Sequence, residues 1–136
     1  MIAHVALHLM LAFLAAYHLA IGLVSVVSFG ASARIAHALY GVDASESPPL
    51  RYAVRMLGLY AIALGALLSL SAFNPRENKN VIMIVIGLQL ARALCRILFR
   101  HELTAALGVP PRRNALNAAL LVVESVVLAV TLPSVQ

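Results

Sequence analysis

Four apolar runs joined by short polar breaks make up almost the whole of this chain. The runs cover residues 2–29, 51–73, 81–99 and 115–132. A helix needs about 20 residues to cross about 30 Å of hydrocarbon, so each run approaches or exceeds that length. The pattern predicts an all-α fold, an integral membrane four-helix bundle forming a single domain over residues 1–136. Between the first two runs, Ile35, Ala36, Leu39 and Tyr40 fall on one side of residues 31–40, with Arg34, His37 and Gly41 toward the other. That suits a short helix lying in the membrane interface. Residues 43–49 end in Pro48 and Pro49 after serines and acids, and mark a turn that starts a new helix. Residues 74–80 form a compact polar turn, which predicts that the second and third spans are antiparallel neighbours. Residues 101–114 read as a connection broken by Gly108, Pro110 and Pro111.

The polar positions inside the runs fall on faces. In the first run His4, His8, Ala15, His18, Gly22 and Ser25 share a sector of roughly 100°, and Tyr17 points the opposite way. Small and polar faces of this kind turn toward other helices. In the second run Arg51, Arg55, Gly58 and Gly65 share a face, and Ala61, Gly65 and Ser69 form a small-residue series that permits close helix contact. In the third run Gln89, Arg92, Arg96 and Arg100 lie within roughly 80° of one another. An arginine near the middle of a membrane helix costs about 2.5–3.5 kcal/mol on insertion scales, so this stripe must face protein, headgroups or water. In the fourth run Asn117, Glu124 and Thr131 recur every seven residues and share one side.

Composition strengthens the membrane reading. Hydrophobic residues make up 62% of the chain and charged residues 11%, too few to cover the surface of a water-soluble domain. The apolar spans leave no room for a soluble catalytic domain, so the expectation is a protein that is not an enzyme. The formal charge is +5, with nine arginines and one lysine. These bases gather at span ends, which points to anionic phospholipids as partners and not to nucleic acid. The first run begins at the methionine, precedes any Lys or Arg, and is long, which favours a retained span over a cleaved signal. Arg34, Arg51, Arg100, Arg112 and Arg113 lie on the first and third connections, against Arg76 and Lys79 on the second. The positive-inside rule then puts the first and third connections in the cytoplasm and both termini on the non-cytoplasmic side.

Candidate chemistry centres on Arg92 and Glu124. Counted from the ends of their runs, Glu124 lies about 14 Å deep and Arg92 about 10 Å deep from the same side, nearly level if the third and fourth spans are antiparallel. One reading is an interhelical salt bridge, with Arg55 or Gln89 in support, that fixes helix packing. The other is a polar pocket lined by His18, Arg55, Gln89, Arg92 and Glu124 that binds a lipid, a quinone or another hydrophobic ligand. Arg51, Arg96, Arg100, Arg112 and Arg113 are expected to anchor lipid headgroups. A voltage sensor would repeat arginine every third residue, and the spacing here is four. His4 and His8, one turn apart, are weak candidates for metal ligands that would need a third ligand from elsewhere. Facing histidines for haem are missing from the second and fourth runs, although a site shared with another subunit stays open. No cofactor is expected beyond bound phospholipid. Cys95 has no partner cysteine in the chain.

The residues Arg55, Gly58 and Gly65, the turn Asn74-Pro75-Arg76, Gln89 with Arg92, and Glu124 resemble the pattern of small bacterial four-helix membrane proteins of unknown function, distantly DoxX-like. The resemblance covers about residues 51–132. It implies a four-helix bundle in a bacterial inner membrane and brings no substrate with it. Two functions are therefore expected. The first is a non-catalytic accessory, structural or assembly subunit whose partners are other integral membrane subunits. The alternative is a small binding or transport protein built around the polar pocket.

Overall fold

The computed structural model describes residues 2–42 and 47–135. The part of the expected turn at residues 43–46 lies outside the described residues. The described chain forms six α-helices, with no strand among those residues: α1 (Ile2–Val27), α2 (Phe29–Tyr40), α3 (Pro48–Phe73), α4 (Lys79–Leu98), α5 (Arg100–Leu107) and α6 (Pro111–Thr131), followed by a 3-10 turn at Leu132–Val135. Four of these, α1, α3, α4 and α6, are long and apolar enough to cross a membrane.

The helix boundaries follow from local chemistry. Ser28 caps α2, its hydroxyl accepting from the Ala31 N–H at 3.2 Å, so the first run divides into α1 and α2 two residues before its expected end. Ser47 caps α3 in the same way, with Pro48 in the first turn, where no intrahelical N–H is needed. Gly41 closes α2 at φ 71° and Gly108 closes α5 at φ 64°, both in the left-handed region that glycine adopts without strain. A side chain at Gly41 would also strike the Pro110 ring, its Cβ standing 2.8 Å from Cδ. Pro111 opens α6 four residues before the expected start of the fourth span. Helix α5 occupies what the sequence pattern gave as a connection.

Tertiary packing is built from two antiparallel pairs. Helices α1 and α3 meet backbone to backbone: a Cβ on Gly22 would stand 2.7 Å from the Gly58 carbonyl oxygen, and one on Gly65 would stand 2.9 Å from the Leu19 nitrogen. Three glycines thus let the helices approach closely enough for dispersion contacts along their length. Helices α4 and α6 form the second pair. The expected neighbour relation changes accordingly, since α3 lies mainly against α1 and not α4, although only a short turn joins α3 to α4. Glycines select the partner here, and the short turn fixes only direction.

Leu7, Leu11 and Leu14 of α1, Leu68 of α3, Ile82, Val85 and Ile86 of α4, Leu128 of α6 and Leu132 form one buried cluster. It fills the end of the bundle where α3 turns into α4. At the other end α2 doubles back along α1, with Ser32 Oγ 3.0 Å from Ser25 Oγ and the Tyr40 hydroxyl bonded to that of Tyr17. Arg113 of α6 donates to the carbonyls of His37 and Ala38 at 3.0 and 3.1 Å, closing the C-terminal turn of α2. Between this cap and the leucine cluster, the helices frame a cavity that opens at the surface.

Candidate functional site

The cavity has a volume of about 380 Å³ and is lined by α1, α2, α4 and α6. Its polar side is made by Tyr17 and His18 of α1, Tyr40 of α2, Gln89, Arg92 and Arg96 of α4, and Asn117 and Glu124 of α6. Helix periodicity explains the contribution of α4, since residues 89, 92 and 96 fall on one face and that face turns inward. It also explains Asn117 and Glu124, two helical turns apart on α6.

Gln89 is the centre of the hydrogen-bonding network. Its side chain is 2% exposed, and its Nε2 donates to Glu124 Oε2 at 2.6 Å. Its Oε1 accepts from Arg92 Nη1 at 3.1 Å. The expected direct pairing of Arg92 with Glu124 is therefore replaced by a relay through the amide. The reason is depth: counted from the same ends, Gln89 lies about 15 Å deep, closer to the roughly 14 Å of Glu124 than Arg92 at about 10 Å, so the carboxylate meets the amide first. Both amide atoms of Gln89 are spent, and the orientation of the amide is fixed by a donor on one side and an acceptor on the other.

Arg96, expected to anchor a headgroup, lines the cavity too. Its Nη1 donates to Asn114 Oδ1 at 3.0 Å while Asn114 Nδ2 donates back to the Arg96 carbonyl at 2.8 Å. The guanidinium carbon stands 5.3 Å from the centroid of the Tyr40 ring, within cation–π range. His18 donates from Nδ1 to the Leu14 carbonyl at 2.8 Å, which leaves Nε2 uncommitted, and its ring meets that of Tyr17 edge-on at 5.3 Å.

Of the five residues expected to line a pocket, His18, Gln89, Arg92 and Glu124 come together, and Arg55 does not. Arg55 is exposed on α3, and no α3 residue reaches the cavity, because α3 is held against α1 by its glycines. Among the expected headgroup anchors, Arg100 and Arg112 are exposed at the same end of the bundle, with Arg100 Nε directed at His101 Nε2 at 3.3 Å. Arg51 is exposed near the start of α3, and Arg113 is committed to the end of α2. Tyr17, expected to point away from the polar face, instead lines the cavity, its phenol reaching α2 from a position next to His18. Tyr40 and Asn114 were not apparent from the pattern. For Asn114 the usable signal was a lone amide in the first turn of an apolar helix, where it can meet an arginine at the end of an antiparallel neighbour.

The His4 and His8 rings lie tilted with centroids 4.3 Å apart, and His8 Nδ1 donates to the His4 carbonyl at 2.8 Å, as a one-turn pair on a single helix does. Among the described residues no group of three or more His, Cys, Asp or Glu side chains gathers in a way that could hold a metal ion. Comparison of the chain with protein-family models, with curated proteins and with solved structures finds no match.

Proposed function

We propose that this chain is a multi-pass protein of a bacterial inner membrane that binds a small hydrophobic ligand with a polar head in the cavity between α1, α2, α4 and α6. The observation that carries the reading is the sorting of residues along the cavity. Buried Gln89 and His18, with Arg92, Arg96 and Glu124, line its inner wall, while Phe13, Leu39, Leu116 and Leu120 line it at the outer surface. Phe13 is 61% exposed and Leu116 60% exposed, so the mouth opens between α1 and α6 onto the apolar exterior. Four apolar helices with charges at their ends support insertion. The arginine-rich end, with Arg34, Arg51, Arg100 and Arg112, then faces the cytoplasm, and both termini face away from it.

The accessory-subunit expectation would use the outer surface of the bundle, in contact with other membrane subunits and anionic phospholipids. Nothing on that surface distinguishes a protein partner from lipid, so the cavity favours the binding reading. The DoxX-like resemblance is compatible with either reading. The test is solvent extraction and mass spectrometry of protein purified from membranes in a mild detergent. Leu120→Trp places a larger ring at the half-exposed mouth without filling the buried core. A hydrophobic molecule present in the native protein and missing from folded Leu120→Trp is the expected result. Identical extracts from the two would overturn the reading.

A further inference from the structure

We propose that the head of the bound molecule is anionic, a carboxylate or a phosphate on a single acyl chain, and that Arg92 and Arg96 hold it. This deepens the binding reading above and rests on it.

The argument begins with charge. Among the described residues two guanidiniums and one carboxylate line the cavity, one positive charge more than those residues balance. In a site walled by apolar helices that imbalance is costly, and a bound anion removes it. The second step is donor capacity. A guanidinium carries five N–H groups. Arg92 uses one nitrogen, Nη1, on Gln89, and Arg96 uses Nη1 on Asn114 while its face lies over Tyr40. The remaining N–H groups, one helical turn apart on α4, suit the oxygens of a single carboxylate or phosphate.

The third step is polarity across the cavity. Glu124 is tied to Gln89, so the network presents arginine donors to the space while its carboxylate is engaged from the side of α4. The Nε2 of His18 and the hydroxyls of Tyr17 and Tyr40 lie on the same polar side. The volume of about 380 Å³ corresponds to about a dozen water molecules at about 30 Å³ each, room for a head and the first carbons of one chain. The rest of the chain leaves by the apolar mouth at Phe13 and Leu120. An amphiphile could enter from the acyl layer sideways and keep its tail there.

The experiment uses full-length protein in neutral maltoside micelles, titrated with laurate, dodecyl phosphate and dodecanol and read by native mass spectrometry and thermal stability. Laurate or dodecyl phosphate should bind about tenfold tighter than dodecanol, the worth of one charge-assisted contact. Arg92→Gln and Arg96→Gln should each abolish that preference. Glu124→Gln keeps an acceptor for Gln89 and removes the only carboxylate that lines the cavity among the described residues, so it should tighten laurate binding severalfold. A purely structural role for Glu124 would not produce that gain. If the arginine variants fail to fold, Glu124→Gln decides alone, and unchanged or weaker laurate binding overturns the proposal. Equal binding of laurate and dodecanol, both excluded by Leu120→Trp, overturns the anionic head and leaves the binding reading standing. If Leu120→Trp excludes none of the probes, both fall. Acetate or inorganic phosphate competing as well as laurate at equal concentration would identify a free-anion site and overturn the acyl chain.

Discussion

Gln89 and Glu124 are joined across α4 and α6 by a 2.6 Å hydrogen bond, with a neutral amide as the nearest partner of the carboxylate. An amide donor steadies the carboxylate without cancelling its charge. Removing it leaves a half-buried acceptor without its amide donor, which costs up to about 1–3 kcal/mol. Gln89→Leu should therefore lower the unfolding midpoint in detergent, and Gln89→Leu combined with Glu124→Leu should recover most of the loss, because two apolar side chains need no partners. Thermal unfolding followed by circular dichroism checks both. A double variant no more stable than the single one would show that Gln89 supports the bundle through Arg92 instead.

The α1–α3 contact makes a sharper prediction. A Cβ at Gly58 would meet the Gly22 carbonyl oxygen and Ser25 Cβ at 2.9 Å, and both are rigid parts of a helix. Gly58→Ala should destabilise by about 1–3 kcal/mol through overpacking, despite the better helix propensity of alanine. Gly87→Ala is the matched control. It lies in α4, exposed, with nothing within 4 Å of an added Cβ, and should be neutral or stabilising by up to about 1 kcal/mol. If both glycines tolerate alanine equally, the close approach of α1 and α3 is not a feature of the folded protein.

The four long helices could be read from hydropathy because length and apolarity are what a bilayer demands of a span. The partner of each helix could not. Periodicity gives the face a residue lies on, and a small-residue series permits close approach without naming what approaches. Thus Gly65 was legible as a contact residue, whereas Gly22 against Gly58 required the fold. Helix α5 went unseen because it is eight residues long and begins after Phe99, which provides no side-chain cap. The site shows the same division. Gln89, Arg92 and Glu124 stood out as polar residues within apolar runs. Tyr17 and Tyr40 did not, since a tyrosine in a span reads equally well as an interfacial anchor or a core residue. Counting residues put Arg92 and Glu124 at similar depth, but their difference of about 4 Å, nearly one helical turn, was enough to substitute Gln89 as the direct partner.

The reciprocal bonds between Arg96 and Asn114 tie the C-terminal part of α4 to the first turn of α6, beside the end of α2. Asn114→Ala removes both and leaves the Arg96 guanidinium with the Tyr40 ring alone. The expected cost is about 1–3 kcal/mol, with faster amide exchange in α2 because Arg113, one residue away, caps the C-terminal turn of that helix. Hydrogen exchange mass spectrometry should show the increase in residues 29–40 and leave residues 7–14, inside the leucine cluster, protected. Uniform loss of protection across the chain would mean that the staple holds the whole bundle and not its α2 end.

Membrane insertion itself is open to a direct test through the native cysteine. Cys95 is the only cysteine and is exposed, so replacing it with serine gives a clean background for site-directed spin labelling. Leu88 is 41% exposed near the middle of α4, and Arg112 is exposed in the first turn of α6. In liposomes a nitroxide at Leu88→Cys should collide readily with oxygen, which concentrates in hydrocarbon, and poorly with a water-soluble nickel chelate. A nitroxide at Arg112→Cys should show the reverse, as should one at Lys79→Cys at the opposite end of the bundle. About 30 Å of hydrocarbon fits the roughly 30 Å length of the 20-residue α4, so the change in accessibility should fall at its two ends. High nickel accessibility at Leu88 would place the outer face of α4 in water and remove the premise on which both the lateral mouth and its acyl-chain ligand depend.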